Sequence, residues 1–223
     1  MRDCRTERHR VPLVGAPNPA MMSDLLNGEP RVTALYSATA LGDGLTPDAP
    51  LLFATRAKAG GRANYAIRPI PSGTRLFGED DWADDEERAA FITLSSAEFD
   101  SLPAAERALF LRFAYNTAPD MITGTLHHAA VRHPTNFTNH ACDPNAGYDG
   151  LDDIVALADI RPGEEIRMDY GTFSFSFDHA FTCACGARHC RGAVKHDDWH
   201  MLVRRGLKLP RFMRAAVERL LKG

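Results

Sequence analysis

Four of the five cysteines in this 223-residue chain sit where reactive side chains are densest: Cys142, Cys183, Cys185 and Cys190. Cys183-Ala184-Cys185-Gly186-Ala187-Arg188-His189-Cys190 gathers three of them into one short stretch. Thiolates suit the tetrahedral, four-ligand coordination of a structural zinc. Gly186 lets the loop fold back and bring Cys190 to Cys183 and Cys185, which leaves one corner open. Cys142 is the natural fourth ligand, with His140 and His189 as competing donors. In a reducing compartment this clustering favours metal over disulfides. Cys4 stands apart and receives no role.

Cys142 itself belongs to a polar island, Asn139-His140-Ala141-Cys142-Asp143-Pro144-Asn145. A second follows, Gly163-Glu164-Glu165-Ile166-Arg167-Met168-Asp169-Tyr170. Side chains of these types are rarely placed side by side for packing alone. The elements that must position them read as strands over Ile154–Ile160 and Glu165–Tyr170, split by an Arg161-Pro162-Gly163 turn. Upstream, short strands are expected at Arg31–Ser37 and Leu51–Arg56. A glycine loop, Gly60-Gly61-Arg62-Ala63, then enters a strand that leaves through Pro71-Ser72-Gly73.

Ser95 and Glu98 have capping-box spacing, which predicts a helix start there. Pro103 suits the first turn of a second helix running to about Tyr115. At the tail, Pro210 opens one more helix in which Phe212, Met213, Ala216, Val217, Leu220 and Leu221 form an apolar stripe. That stripe either packs on the domain or forms a dimer contact. Residues 1–29 are polar and proline-punctuated and read as a loose arm. Glu79 to Glu87 holds seven acids (Glu79, Asp80, Asp81, Asp84, Asp85, Glu86, Glu87). They are either a solvated loop or a field that attracts a basic substrate.

Bulk properties narrow the field. Hydrophobic content of 44% and a net charge of −3 are those of a soluble globular protein and argue against a general nucleic-acid binder. No secretory signal and no apolar run of about 18 residues is present, so no membrane partner is expected. The expected location is the cytoplasm, or the nucleus in a eukaryote.

Taken in order, the islands Asn139–Asn145, Gly163–Tyr170 and Cys183–Gly192 resemble the SET-domain protein lysine methyltransferases with their post-SET zinc module. The resemblance runs over about residues 50–195 and is specific in about the last 60 of those. It implies a mixed α+β, mostly β fold of several small sheets, with a knot-like C-terminal crossing, a helical insert and a C-terminal helix. The SET domain would span 30–178 with its insert at about 79–125, the zinc module 179–195, and a helical extension 196–223.

The resemblance also implies roles. S-adenosylmethionine would be the cofactor, held by Gly61, Arg62 and Ala63 along its methionine part. Asn139 and His140 would meet its adenine and polar groups, Tyr170 would lie beside it, and Phe181 would cover the adenine. Ala63 stands where the family usually has glycine, a departure that matters if the position needs positive φ. Tyr170 is the expected catalytic tyrosine and Tyr148 a channel-lining one. Met168 replaces a common Phe or Tyr and leans toward multiple methylation. Cys142, Cys183, Cys185 and Cys190 would hold structural zinc. The expected partner is a protein with a basic segment, such as a histone-like tail. The rival reading is a non-catalytic, zinc-stapled SET module that binds rather than transfers.

Overall fold

Gly60 turns the chain at φ +87° between β1 (Phe53–Lys58) and β2 (Gly61–Ala66). The two strands pair antiparallel from Phe53↔Ala66 to Lys58↔Gly61. The computed structural model describes residues 51–78, 81–175 and 181–222. The expected arm over 1–29, the strand over Arg31–Ser37, Cys4, Glu79 and Asp80 lie outside the described residues, as does the Phe181 side chain.

After β3 (Arg75–Phe77) comes α1 (Asp85–Ala90), capped by the Asp84 side chain on the Glu87 N–H. Next are β4 (Ile92–Ser95) and α2 (Ser96–Ser101), which opens on the expected capping box. Ser95 Oγ accepts the Glu98 N–H at 3.2 Å, and Glu98 accepts the Ser95 N–H at 2.9 Å. Pro103 then precedes α3 (Ala104–Phe110), a shorter helix than expected. The chain continues through β5 (Tyr115–Ala118), β6 (Met121–Gly124), β7 (Asn139–His140), β8 (Ala146–Tyr148) and β9 (Ile154–Ala156). Last come β10 (Arg167–Met168), β11 (Phe181–Thr182), β12 (Ala193–Val194), α4 (Trp199–Arg204) and α5 (Arg214–Lys222).

The sheets are small. β3–β9–β8 and β4–β6–β5 are antiparallel triplets, and β11 pairs antiparallel with β12. β7 and β10 run parallel, Asn139 opposite Arg167 and His140 opposite Met168. That pairing brings the two polar islands side by side. Among the described residues, helix and strand take similar shares, where mostly strand was expected.

The insert also differs from its expected helical character, since it contains the β4–β6–β5 sheet. Its β5–β6 hairpin turns at Pro119-Asp120, two residues that suit a tight turn. Behind it Phe99, Phe110, Ala114 and Ile122 form a local core. The main core gathers Phe53, Ile70, Phe77, Ile160, Ile166 and Met168 under the β1–β2 and β3–β9–β8 sheets. Ile160 is reached by a single bridge to Ile70 rather than by a strand continued from Ile154.

Beyond the cysteines, α4 was not foreseen. The stripe of the turn at Arg211–Met213 and of α5 packs on the domain: Phe212, Met213, Ala216, Val217 and Leu220 join Val203, Leu209, Phe175 and Trp199. Leu221 is the exception, 63% exposed, because the helical period turns it away from that face. No helix among the described residues is long and apolar enough to cross a membrane.

Candidate functional site

Asn139 and Tyr170 are fixed by the parallel β7–β10 pair and by the hydrogen bonds that radiate from it. Asn139 Nδ2 donates to the Arg62 carbonyl at 3.1 Å and to Glu165 Oε1 at 2.8 Å. It thereby ties the start of β2 to both islands, and Lys58 pairs with the same Glu165 at 2.7 Å. Gly61 and Arg62 are exposed beside Asn139, and Arg62 lies 4.8 Å over the Phe137 ring. Ala63 is different from what its place in the loop suggested. It is fully buried within β2, paired with Arg56, and needs no positive φ, so alanine there carries no strain.

Asn64 follows it into the core. Fully buried, it accepts from Thr55 Oγ1 at 2.7 Å and donates to the Pro134 carbonyl and Thr138 Oγ1. Thr138 in turn receives the Tyr170 hydroxyl on its carbonyl at 3.0 Å. The Tyr170 ring packs against Phe173 and His140. Burial, and then the nearby Glu165 charge, push the Tyr170 phenol up to about 12, so it stays protonated at neutral pH.

The His140 ring faces the protein. Its Nδ1 accepts the Tyr170 N–H at 3.1 Å, which leaves the proton on Nε2, 3.4 Å from Cys142 Sγ. Burial holds its pKa down at about 4 against the pull of Asp169, so the ring is neutral. His140 is therefore a link between Tyr170 and Cys142 before it is anything else.

A cavity of about 960 Å³ opens beside Tyr170. Tyr148, Met168, Phe173 and Ile154 line it, Tyr115 and Phe113 come from the insert, and Pro210 and Phe212 from the tail. Tyr148 and Tyr170 thus share one cavity, while Asn139, His140 and Gly61 lie outside its lining. Burial also pushes the Tyr148 phenol up. At the cavity wall, Thr135 Oγ1 is a buried polar atom with no hydrogen-bond partner among the described residues.

The four expected cysteines come together. Their sulfurs all lie within 4.8 Å of one another, and Cys142 and Cys183 are 3.8 Å apart. A tetrahedral site with Zn–S of about 2.3 Å spaces its sulfurs about 3.8 Å apart, so the cage fits that ion. Backbone N–H groups of Arg191, Gly192 and Cys142 point at Cys142, Cys190 and Cys185 at 3.4 to 3.5 Å, as suits thiolates. Burial raises Cys183 to about 12. It opposes ionisation of Cys185 too, but N–H donors from Cys142 and Ala187 and the neighbouring thiols bring that pKa down to about 6. Neither His140 nor His189 belongs to this group of ligands.

Comparison with known proteins decides what this arrangement is. The SET domain profile matches residues 61–171, which hold the glycine loop, both islands and Tyr170. Residues 61–171 of this chain are a SET domain. Histone-lysine N-methyltransferase set9 of Aspergillus terreus is 38% identical over 68 residues, 28% of this chain and 10% of that protein. The H3 lysine-9 specific histone-lysine N-methyltransferase KMT1 of Fusarium mangiferae is 36% identical over 77 residues, 26% of this chain and 22% of its own length. Human histone-lysine N-methyltransferase 2B is 35% identical over 79 residues, covering 32% and 3%. The chain thus spans less than a quarter of each of these relatives. A crystal structure of KRYPTONITE in complex with mCHG DNA and SAH aligns over 61% of this chain and 27% of that one, with 18% identity and a TM-score of 0.39.

Three residues of this SET domain escaped the sequence reading. Glu165 gathers Asn139 and Lys58, Asp169 caps the turn that begins with Tyr170, and Arg191 joins Asp169 to the tail. Their signal was adjacency: Asp169 precedes Tyr170 and Arg191 follows Cys190. The acidic run is also more structural than expected. Asp84 and Glu86 pair with Arg132, and Glu87 is buried on the N–H groups of Ala83, Arg132 and His133.

Proposed function

We propose that this protein transfers a methyl group from S-adenosylmethionine to the side-chain amine of a protein lysine. The observation that carries the reading is Tyr170, a neutral phenol whose hydroxyl donates a hydrogen bond to the Thr138 carbonyl at the edge of a cavity that several aromatic side chains line. S-adenosylmethionine, when bound, supplies an electrophilic methyl group on a sulfonium. Gly61, Arg62 and Asn139 are the residues that would hold it. Gly61 and Arg62 are exposed beside Asn139, whose Oδ1 takes no hydrogen bond among the described residues. Phe181 is assigned the adenine cover. His140 serves this side by fixing Tyr170, while Ala63 stays buried within β2.

The acceptor's problem is its proton. A lysine amine has a reference pKa of about 10.4, so exposing its lone pair at pH 7 costs about 4.6 kcal/mol. Tyr170 does not remove that proton, because a phenol near 12 is no base at neutral pH. Burial between Tyr148, Met168 and Phe173 favours the uncharged amine instead. With its own proton committed to Thr138, the Tyr170 oxygen presents lone pairs that accept an amine N–H and aim the nitrogen. Cys142, Cys183, Cys185 and Cys190 would hold zinc, which would pin residues 183–190 to the SET body. The names of the relatives point to a lysine in a basic, histone-like tail, which would place a eukaryotic protein in the nucleus.

Calorimetry with S-adenosylmethionine and methyl transfer to core histones test the reading. Absence of binding heat would leave the SET module as a non-catalytic binder. Tyr170→Phe keeps the ring and removes one positioning oxygen. A fall in kcat of about 100-fold is expected, the lower end of values for lost transition-state donors. Near-wild-type turnover in that variant takes Tyr170 out of the chemistry.

A further inference from the structure

Arg191 sits between the cysteine cage and the Tyr170 turn and touches both. Its backbone N–H points at Cys142 Sγ at 3.4 Å. Its guanidinium, only 10% exposed, grips Asp169 with two hydrogen bonds of 2.5 and 2.6 Å, and Nε reaches Asp198 at 2.8 Å. Asp169 is 1% exposed and holds the start of the turn. Its Oδ1 accepts the Gly171 N–H at 3.0 Å, and its carbonyl accepts the Thr172 hydroxyl at 2.6 Å. On the other side Asp198 begins α4 and accepts the Lys195 N–H at 3.0 Å.

The fit around this pair is tight. A Cβ added to Gly171 would stand 2.8 Å from Leu202 Cδ1 and 3.0 Å from Asp198 Cβ. The turn that carries Tyr170 is therefore pressed against α4 and cannot shift without moving it. Only a planar fork satisfies both Asp169 oxygens and still reaches a second carboxylate, which a lysine ammonium does not do. A surplus cation for stability alone would need no such geometry.

We propose that Arg191 is a positioning residue for methyl transfer: through Asp169 it sets the Tyr170 turn, so that docking of the cysteine module aligns the catalytic tyrosine. This rests on Tyr170 lying at the transfer point. Arg191 touches neither acceptor nor cofactor in this scheme, and its effect on rate comes entirely through where Tyr170 stands.

The test uses R191K and D169N, each made in wild-type and Y170F backgrounds. Tritiated-methyl transfer to core histones gives kcat and acceptor KM, calorimetry gives cofactor affinity, and elemental analysis gives zinc per chain. R191K keeps the charge and loses the fork, and D169N keeps the cap oxygen and loses the charge. Both should lower kcat by about 10- to 100-fold in the wild-type background, the size expected of a slightly misplaced group. Zinc content and cofactor affinity should stay within about two-fold, and in Y170F the same changes should cost less than about three-fold. R191K turnover equal to wild type overturns the proposal. Equal fold-losses with and without the Tyr170 hydroxyl overturn it as well, since Arg191 would then act independently of that residue. Loss of zinc or a collapsed melting temperature in both variants makes the pair structural and has the same result. A wild-type protein that moves no methyl group overturns both this and the proposed function, whereas an active one separates them.

Discussion

Glu87→Gln is the perturbation that most directly tests how the acidic run works. Glu87 is fully buried despite its place among seven acids. Its Oε1 receives the N–H of Arg132 at 2.9 Å, of His133 at 3.0 Å and Nδ2 of Asn136 at 3.1 Å. Oε2 receives the Ala83 N–H at 2.9 Å. Glutamine offers one oxygen, and placing it at Oε1 keeps three of these bonds. Its amide nitrogen then faces the Ala83 N–H, donor against donor. Weaker bonds to a neutral acceptor are offset by the lower cost of burying a neutral group. The unmet donor remains, worth about 2 kcal/mol. For a chain of this size that is a fall in melting temperature of about 4–8 °C. Asp85→Asn is the control: its side chain is 92% exposed and pairs with Arg88, itself 64% exposed. It should melt within about 1 °C of wild type. Calorimetric melts at equal metal loading give both values. Peptide kinetics at two salt concentrations would show a raised KM in both variants if the run attracted substrate. An E87Q melt unchanged from wild type, or an equal loss in D85N, refutes the structural assignment.

Cys185→Ser should lower zinc to well below one ion per chain and destabilise residues 181–194, which elemental analysis and limited proteolysis would show. Unchanged zinc in that variant would remove Cys185 from the cage. Because burial pushes the Tyr170 phenol up to about 12, any rise in kcat between pH 7 and 9 belongs to the substrate amine. Tyr170→Phe should therefore lower the whole pH profile without changing its shape, and loss of the rise would contradict this. Burial lowers the pKa of His133 and of His140, the latter to about 4, so both stay neutral in the fold and gain protons on unfolding. Their contribution is complete above about pH 6.5 and is lost as pH falls toward 4. Melting temperature should decline across that window and His133→Asn should decline less; equal slopes would place the loss elsewhere, including at the cysteines.

Much of this site was legible because its side chains are chemically distinctive and sit in short islands. Cys183, Cys185 and Cys190 needed only a spacing, and Cys142 only its place in the Asn139 island. Tyr170 was recognisable from the residues before it. What escaped reading was the wiring. Nothing in the order of residues says that Asn139 reaches Glu165, that the His140 ring turns toward Cys142, or that Arg191 crosses to Asp169; these pairings depend on the parallel contact of β7 with β10. Asn64 carries no sequence signal of its role, yet it is a buried hub for Thr55, Pro134 and Thr138. Glu87 is hidden by its neighbours, since a run of like charges reads as surface until one member is found inside. The β5–β6 hairpin is hidden because it starts at Tyr115, close behind α3, where the sequence still reads as the end of a helix.

One feature of the cage reaches beyond the site itself. Cys142 belongs to the body of the domain, while its three companions arrive in the tail, Cys183 being 41 residues later in the chain. A metal spanning them closes a loop of that length, and by the estimate used for cross-links this removes about 4 kcal/mol of chain entropy from the unfolded ensemble. The SET body is synthesised first and must wait for the tail before Cys142 has its partners. Metal supply would then act on the fraction of chains that finish folding, so that a cell short of zinc would hold fewer competent molecules rather than slower ones.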